Sequence, residues 1–307
     1  MRADIVIVNW NSGAMLADCI ASIAEGDVSR IGRVIVVDNG SVDGSEKVRC
    51  PGIDLIVDLA GRNLGFGAAC NRGAAKGRSD LVLFVNPDVE VAPEAISRTV
   101  EAMGQEPNHD VGVMGIRLID RHGVPQAHCA RFPKLRHFLA ESTGLSHLFP
   151  RYFKPIRLLE FDHLQSRDVD HVIGAFYCIR RSLFEQLGGF DEEFFVYYED
   201  LDLSRRVASA GWRVRFLAEP SAFHHEGGTS RKILARRLFL AIQGRLLYAK
   251  KHRSRSEFVL IQLIALVIEP VTRSLYALSR GRWSEFRETV TGYSLLFSHI
   301  FRAKLDS

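Results

Sequence analysis

LVLFVNPDVEV, residues 81–91, is the stretch that decides the fold. Leu81–Val85 is an unbroken apolar run, short and rich in strand-forming residues, which predicts a strand buried on both faces. Pro87 cannot donate to a strand ladder, so pairing should end there. Because ligands of open α/β sheets bind outside the carboxyl ends of the strands, we expect Asp88 at the mouth of a binding crevice. The alternative is a strand-ending turn with a solvated Asp.

The order of the remaining segments predicts an α/β fold. Apolar strand-like runs alternate with helical patterns from residue 4 to residue 119, which is typical of a mostly parallel, Rossmann-like sheet flanked by helices. Polar residues follow three of these runs, at Asn9, Asp38 and Asp88. Carboxyl ends of parallel strands meet at one edge, so we expect these side chains to converge on a ligand. The stretches 169–179, 212–217 and 221–224 are further predicted strands, and 120–168 has no clear pattern.

The amino-acid composition indicates the general class of protein and the cellular compartment. The 307 residues are 47% hydrophobic and 25% charged, as in ordinary globular proteins. The five cysteines are scattered and odd in number, which favours a reduced, cytoplasmic setting over a disulfide or zinc framework. We expect no signal peptide, because the first strand begins directly after the start.

Charge is divided unevenly along the chain. Residues 231–307 carry 15 Lys and Arg against 5 Asp and Glu, whereas the preceding part is mildly acidic. The stretch 232–250 reads as a basic amphipathic helix. The apolar run 258–268 is expected to end at Glu269-Pro270 and is then too short to cross a bilayer. Such a basic, hydrophobic tail suits a membrane surface, and simple packing on the main domain is the alternative.

The acidic segment 188–206, GGFDEEFFVYYEDLDLSRR, is the second stretch that carries chemistry. Its aromatic residues are interleaved with carboxylates, and a partly desolvated carboxylate can act as a base. Aromatic faces also suit sugar rings. Glu199 and Asp200 are expected to open a helix, and an acidic helix cap is the alternative interpretation. Later in the chain, His225 could complete a metal site begun by Asp88, although a lone His is more often structural.

Six motifs in this order resemble glycosyltransferase family 2, and within it the rhamnosyltransferase-like branch of bacterial polysaccharide biosynthesis. They are VIVNWNS (6–12), VVDNGSVDGS (36–45), RNLGFGAACNRG (62–73), LFVNPDVEV (83–91), the long motif 172–207 and HEGGTS (225–230). The resemblance implies a GT-A domain over 1–230, with a nucleotide-sugar half (1–110) and an acceptor half (111–230). A basic helical tail over 231–307 would follow, associated with the inner face of the plasma membrane.

The resemblance also implies roles for single residues. Asp200 would be the catalytic base, and Asp88 would bind Mg²⁺ or Mn²⁺, with His225 as a further ligand. Asn86 stands where many relatives carry the first Asp of an Asp-x-Asp metal motif, so Asp88 would be its remaining acid and the ion's surroundings have one negative charge fewer. On the donor side we place Asn9, Asn11, Asp38, Arg62, Asn71, Asn86 and Asp88. On the acceptor side we place Gly174, Asp191, Tyr198 and Glu199.

The expected reaction is inverting transfer of a sugar from a nucleotide-sugar donor to a hydroxyl of a lipid-linked or polysaccharide acceptor. The resemblance favours dTDP-rhamnose as donor, and UDP-hexoses are the alternative. A catalytically inactive sugar-nucleotide binding protein also fits, and a homodimer is compatible with the sequence.

Other classes fit the motifs less well. A sugar nucleotidyltransferase needs a basic, Gly-rich loop after the first strand, but here that loop is NWNSGAML. A dinucleotide oxidoreductase needs G-x-G-x-x-G, which is only partly present at Gly65-Phe66-Gly67. Nucleic acid is not an expected partner, because the acidic segment 188–206 would repel phosphate.

Overall fold

The computed structural model describes residues 1–225 and 234–305, which form two compact units. The first unit comprises 1–132, 157–195 and 199–229. The second comprises 133–156, 196–198 and 230–307, so it contains the tail together with two segments from earlier in the chain. Residues 226–233, which include most of the HEGGTS motif, lie outside the described part.

The strands are numbered in chain order. They are β1 Ala3–Asn9, β2 Ile31–Asp38, β3 Leu55–Leu59, β4 Leu81–Val85, β5 Val89–Val91, β6 Val111–Ile119, β7 Cys129–Ala130, β8 Arg167–Val169, β9 His171–Val172, β10 Phe176–Arg180 and β11 Arg213–His224.

The helices are numbered in the same way. They are α1 Ala14–Ala24, α2 Phe66–Ala74, α3 Ala95–Gly104, α4 Leu135–Ser142, α5 Leu145–Leu148, α6 Arg181–Gln186, α7 Glu199–Ser209, α8 Leu234–His252, α9 Arg255–Leu263, α10 Glu269–Ser279 and α11 Trp283–Leu305.

The main sheet has the strand order β3-β2-β1-β4-β10-β6-β11-β5, with β8 paired to β11. Strands β3, β2, β1 and β4 run parallel, as do β6 and β11. Strand β10 runs antiparallel between β4 and β6. The predicted mostly parallel sheet with flanking helices is therefore confirmed, and a separate small sheet joins β7 to β9.

Strand β4 lies between β1 and β10 in the sheet, and both of its faces are covered by side-chain clusters. Leu81, Leu83 and Val85 belong to one hydrophobic cluster, whereas Val82 and Phe84 belong to the cluster on the opposite side of the sheet. All five side chains are at most 1% exposed. This alternation explains why the sequence shows a continuous apolar run at this strand.

The two short strands predicted at 212–217 and 221–224 are wrong as separate elements. The structure has one strand, β11, whose pairing with β6 shifts register between Leu217 and Ser221. Pro220, which has no N–H, falls within this register shift and is accommodated in a continuous strand.

The second unit is helical and has its own core. Ile242, Ala265, Tyr293 and Leu296 form a buried cluster. Arg245 forms a buried ion pair with Glu269, whose carboxylate also accepts from the Ser142 hydroxyl at 2.9 Å.

The predicted helix end at Glu269-Pro270 is wrong. A π-helical segment, Ile264–Ile268, connects α9 directly to α10, so helix continues across Pro270. Pro270 has no N–H and clashes with a regular preceding turn, and the wider π turn accommodates it. The helical run 255–279 has 25 residues and contains an 18-residue window with a mean hydropathy of 1.7, so its length and composition would allow it to cross a membrane.

Candidate active site

Four strands bring the polar motifs to one edge of the main sheet. Asn9 pairs with Asp38 across β1 and β2, and Ile7 pairs with Val85 across β1 and β4. Strand β10 runs the other way and begins with Phe176 opposite Val85. The carboxyl ends of β2, β1 and β4 therefore lie beside the segment that leads into β10.

Asn9 and Asp38 form the buried centre of the predicted donor side. The Asn9 amide donates to Asp38 Oδ2 at 2.9 Å and reaches the hydroxyls of Ser41 and Ser45 at 3.1 and 2.8 Å. Asp38 Oδ1 accepts from the backbone N–H groups of Gly40 and Ser41. Both oxygens of Asp38 are thus occupied in holding the 38–45 loop. Among the described residues, the buried Oδ1 of Asn9 has no hydrogen-bond partner.

Asn11 and Arg62 lie against the same loop. The Asn11 side-chain oxygen accepts from the Val42 N–H at 2.8 Å, and the backbone N–H of Asn11 donates to Ser41 Oγ. Gly40 has φ +81, and a Cβ there would lie 3.0 Å from the Arg62 Cα. The loop can therefore pack on residue 62 because position 40 is Gly.

Asn71 is engaged on a different segment. Its side chain accepts from the Phe190 N–H at 2.8 Å and donates to the Phe190 carbonyl and to Glu192. It therefore fixes the loop that leads to the acidic segment. Arg62, Asn71 and Glu192 line a common cavity of about 650 Å³.

Asp88 follows β4 and is held next to the end of β11. Its backbone carbonyl accepts from the His225 N–H at 3.0 Å. The His225 ring bonds Glu90 at 3.0 Å, whereas His224 Nε2 lies 3.7 Å from Asp88 Oδ1. The metal role of His225 stays a prediction, and His224 is the histidine whose ring approaches the Asp88 carboxylate.

The donor set at Asp88 fits a divalent cation. His224 Nδ1 lies 3.0 Å from Gln126 Oε1 and donates its N–H there, so Nε2 is the ring nitrogen on the side of Asp88. A carboxylate and an imidazole are both ligand types that bind divalent cations. Asp88 and His224 therefore make a suitable set for Mg²⁺ or Mn²⁺.

The sequence contains a signal that distinguishes the two histidines. Buried and less buried residues alternate along β11, and His224 falls on the buried face with Phe216 and Ala222. His225 follows the end of the strand. Extending the strand period through 224 would have selected His224.

Asp200 lies in the first turn of α7, as predicted. Its Oδ2 accepts from the Gly174 N–H at 2.7 Å and its Oδ1 from the Leu201 N–H at 2.8 Å. The side chain stays 19% exposed. These bonds fix the orientation of the carboxylate and leave it with free lone pairs.

A short connection joins the two acidic positions. The Asn86 N–H donates to the Ala175 carbonyl at 3.0 Å, and the neighbouring Gly174 holds Asp200. Asn86 is two residues before Asp88. The end of β4 and the first turn of α7 are therefore joined by residues 174 and 175 at the same edge of the sheet.

The other residues expected on the acceptor side differ in environment. Glu199 is buried, and burial together with the nearby Asp200 charge raises its pKa well above the usual value. Asp191 accepts from the Glu193 N–H and thereby stabilises a turn. Tyr198 belongs to the second unit, where its ring lies 5.7 Å from Tyr248. Their roles in acceptor binding stay predictions.

A second group of metal-binding side-chain types, His128, Cys129 and His163, is buried elsewhere in the first unit. Both ring nitrogens of His128 lie within 2.9 Å of backbone carbonyls, of Gln126 and Ile116. Burial lowers its pKa to about 4. The His128 ring, which donates through one nitrogen when neutral, is thus held between main-chain carbonyls, and the cluster contains none of the predicted site residues.

Known proteins share this sequence pattern. An L-rhamnosyltransferase of Mycobacterium tuberculosis, N-acetylglucosaminyl-diphospho-decaprenol L-rhamnosyltransferase, is 30% identical over 242 residues, covering 72% of this chain and 75% of the relative. Rhamnosyltransferase WbbL of Escherichia coli K12 is 22% identical over 157 residues, covering 51% and 56%.

The fold is also shared with a solved structure. The mannosyltransferase PcManGT of Pyrobaculum calidifontis, in complex with GDP-Man and Mn²⁺, aligns with a TM-score of 0.57 at 16% identity, covering 98% of this chain and 82% of that one. The family model for glycosyl transferase family 2 matches residues 4–188, which is more than half of the sequence. The chain belongs to glycosyl transferase family 2.

Proposed function

We propose that this glycosyltransferase moves L-rhamnose from dTDP-rhamnose, with inversion, to a hydroxyl of a lipid-linked saccharide. The observation that carries the proposal is the connection from Asn86 through 174–175 to Asp200. It supports a site in which an acid near the departing phosphate and an acid near the acceptor act on one bond. The name of the Mycobacterium tuberculosis relative favours rhamnose and a lipid-diphosphate acceptor.

The donor side supports nucleotide binding. The buried Asn9 Oδ1 lacks a partner among the described residues, so a nucleoside N–H or O–H would satisfy it. Arg62 is exposed beside the 38–45 loop and supplies positive charge for a diphosphate.

The proposed step is a single displacement. The acceptor oxygen forms a bond to the anomeric carbon while the bond from that carbon to the diphosphate oxygen breaks, and its electron pair leaves with the diphosphate. Asp200 takes the proton of the acceptor hydroxyl. A positioned base of this kind contributes about 10²–10⁴-fold to rate. The attack and the departure occur on opposite faces of the sugar, which inverts the anomeric centre.

Asp88 and His224 would hold a divalent cation, whose charge would offset the negative charge of the leaving diphosphate. Gln126 keeps His224 in the tautomer that can coordinate. Asn86 contributes no charge, so the site has a single carboxylate from β4 and its following turn.

Substitution of Asp200 tests the base. Asp200→Asn should lower transfer about 10²–10⁴-fold because the amide cannot take the proton, while donor binding is retained. Transfer to a lipid-linked acceptor and calorimetric donor binding are measured on the same preparation. Glu193→Gln, an exposed acid of the same segment, is the matched control. Retained turnover in Asp200→Asn would refute the assignment.

A thermal-shift screen tests the donor. Nucleoside diphosphates and sugar nucleotides are compared with and without Mn²⁺. The proposal predicts the largest stabilisation from dTDP-rhamnose with Mn²⁺. A larger shift with a UDP-hexose would assign that donor instead, and binding without transfer or donor hydrolysis would indicate an inactive binding protein.

We also propose that the second unit contacts an anionic membrane surface. Along the helical run 255–279, exposed apolar side chains recur every three or four residues at Leu260, Leu263, Val267, Val271, Leu275 and Leu278. This apolar stripe is about 27 Å long. The net charge of +10 over residues 231–307 complements anionic headgroups.

Several contacts favour a helix that lies in the membrane plane over one that spans the bilayer. Ile261, Ile264 and Ala265 are buried within the protein, so one face is already packed. Arg273 is half-exposed next to the stripe and pairs with the buried Glu269 at 2.8 Å. A spanning orientation would expose this arginine to hydrocarbon, which is costly.

Serine substitutions at three stripe positions test the surface. The combined variant Leu263→Ser, Val267→Ser and Leu275→Ser should lose most sedimentation with phosphatidylglycerol vesicles, because the apolar contact is removed. The matched control is Val42→Ser, an exposed valine of the first unit. Unchanged vesicle binding would contradict the proposal, and a dimer-to-monomer change would assign the stripe to a second copy of the chain.

A further inference from the structure

One buried polar side chain beside Asp200 has no part in the proposed reaction. It is His171, which is only 3% exposed and lies on the short strand β9, beside the first turn of α7. Its Nε2 lies 3.7 Å from Asp200 Oδ2, and its Nδ1 lies 2.9 Å from the hydroxyl of Ser204. The Tyr177 hydroxyl lies 3.1 Å from the same Ser204 oxygen.

These groups form one chain, Tyr177–Ser204–His171–Asp200, and its members come from β10, α7 and β9. Tyr177 and Ser204 are fully buried. The sequence pattern assigns no role to Tyr177, Ser204 or His171. For His171 the reason is that its strand has only two residues.

The charge of Asp200 decides the direction of the hydrogen bonds in this row of four side chains. If His171 Nδ1 donated to Ser204, its Nε2 lone pair would face the Asp200 carboxylate and be repelled. In the opposite arrangement Tyr177 donates to Ser204, Ser204 donates to His171 Nδ1, and the Nε2–H points toward Asp200. Every dipole then points toward the negative charge.

We propose that His171 is a positioning residue for the base, kept by Tyr177 and Ser204 in the tautomer that directs an N–H toward Asp200. The inference rests on the proposed function of Asp200. At 3.7 Å the contact is electrostatic and not a full hydrogen bond, so it favours the charged carboxylate without blocking the lone pair that takes the proton.

The surroundings of Asp200 explain why such support is useful. Burial lowers the pKa of His171, so the ring is neutral and acts through its dipole. Glu199 and Asp202 lie on the same helix, and Cys70 approaches from α2. Asp170 lies next to His171, and Arg206 is paired with Asp202 at 2.8 Å. The main-chain N–H groups of Gly174 and Leu201 also stabilise the charge of Asp200.

A pH–rate profile tests this role. His171→Phe removes both ring nitrogens. In this variant the low-pH limb of the plot of kcat against pH, called the acid limb, should move to higher pH by about 0.5–1 unit, because the charged base has lost a favourable dipole. The donor KM should be unchanged. His171→Gln restores an N–H donor at a similar reach and should recover part of the shift.

Tyr177→Phe tests the remote end of the chain with a smaller change. The ring is kept and only the hydroxyl is lost, so Ser204 no longer has a fixed direction. A smaller upward shift of the acid limb is expected. Tyr293→Phe removes another phenol hydroxyl, which donates to the Ala265 carbonyl in the second unit, and should leave the limb in place.

A kcat that falls equally at all pH values in His171→Phe and Tyr177→Phe would show a merely structural role and overturn the inference. A second measurement tests the role of His171 independently of the proposed transferase function. The ¹³C signal of the Asp200 carboxyl, assigned by its loss in Asp200→Asn, should titrate at higher pH in His171→Phe even without substrate. If the native chain transfers no sugar, this titration still decides the inference, and an unchanged midpoint contradicts it.

Discussion

Asp38 and Asp200 both belong to the motifs at the edge of the sheet, but they are held in opposite ways. Asp38 is 3% exposed, and both of its oxygens accept bonds from Asn9 and the 38–45 loop. Asp200 accepts two main-chain N–H groups, stays 19% exposed and faces a neutral imidazole. One carboxylate supports a loop, and the other keeps free lone pairs.

This difference indicates how to separate structural acids from reactive ones in the same motif set. A carboxylate whose acceptor capacity is used by its own loop contributes through the shape of that loop. A carboxylate fixed by main-chain groups from another segment keeps its orientation and can still accept a proton. Substitutions at the two kinds of site should therefore change different observables.

Asp38→Ala should give the larger effect on stability. It leaves the N–H groups of Gly40 and Ser41 without their acceptor and removes the bond from the Asn9 amide, at a cost of about 3 kcal/mol in the free energy of unfolding. Urea denaturation measures this cost. Asp18→Ala, an exposed acid of α1, is the control and should cost under about 1 kcal/mol. Equal costs would show that Asp38 does not hold the 38–45 loop.

Glu199→Gln should give a smaller effect, which depends on pH. Burial raises the folded-state pKa of Glu199 above its ordinary 4.5, so the folded protein holds this proton more tightly. The stabilisation is complete below the unfolded pKa and is lost as pH rises toward the folded one. Gln carries no such proton, so the stability of the variant relative to the native chain should rise between about pH 5 and neutral pH.

Urea denaturation of Glu199→Gln at both ends of this range gives the answer. A difference between variant and native chain that stays constant with pH would mean that Glu199 is charged in the folded state. The neighbouring Asp200 would then carry a second like charge beside it.

The sequence was sufficient for much of the sheet and its polar edge. Leu81–Val85 and Val111–Ile119 begin and end where the apolar runs do, because strands buried on both faces leave a continuous hydrophobic signal. Asn9, Asp38 and Asp88 were assigned to strand ends from the same signal. The first turn of α7 followed from the carboxylates that open it.

Contacts between distant segments could not be read from the pattern. His171 approaches Asp200 because β9 lies beside α7, and a two-residue strand leaves no periodic signal. The helix that continues through Pro270 depends on a π turn that no local propensity indicates. The approach of the His224 ring to Asp88 depends on the full length of β11, which the sequence pattern divides into two stretches.

The central claim is that the cation and the proton acceptor occupy separate acids at one edge of the sheet. The most direct measurement is the anomalous scattering of Mn²⁺ in crystals grown with a nucleoside diphosphate. We expect a manganese peak at coordination distance from Asp88 and His224, with the Asp200 carboxylate in the same cleft and free of metal. A peak on Asp200, or at His128, Cys129 and His163 instead of at Asp88, would contradict the claim.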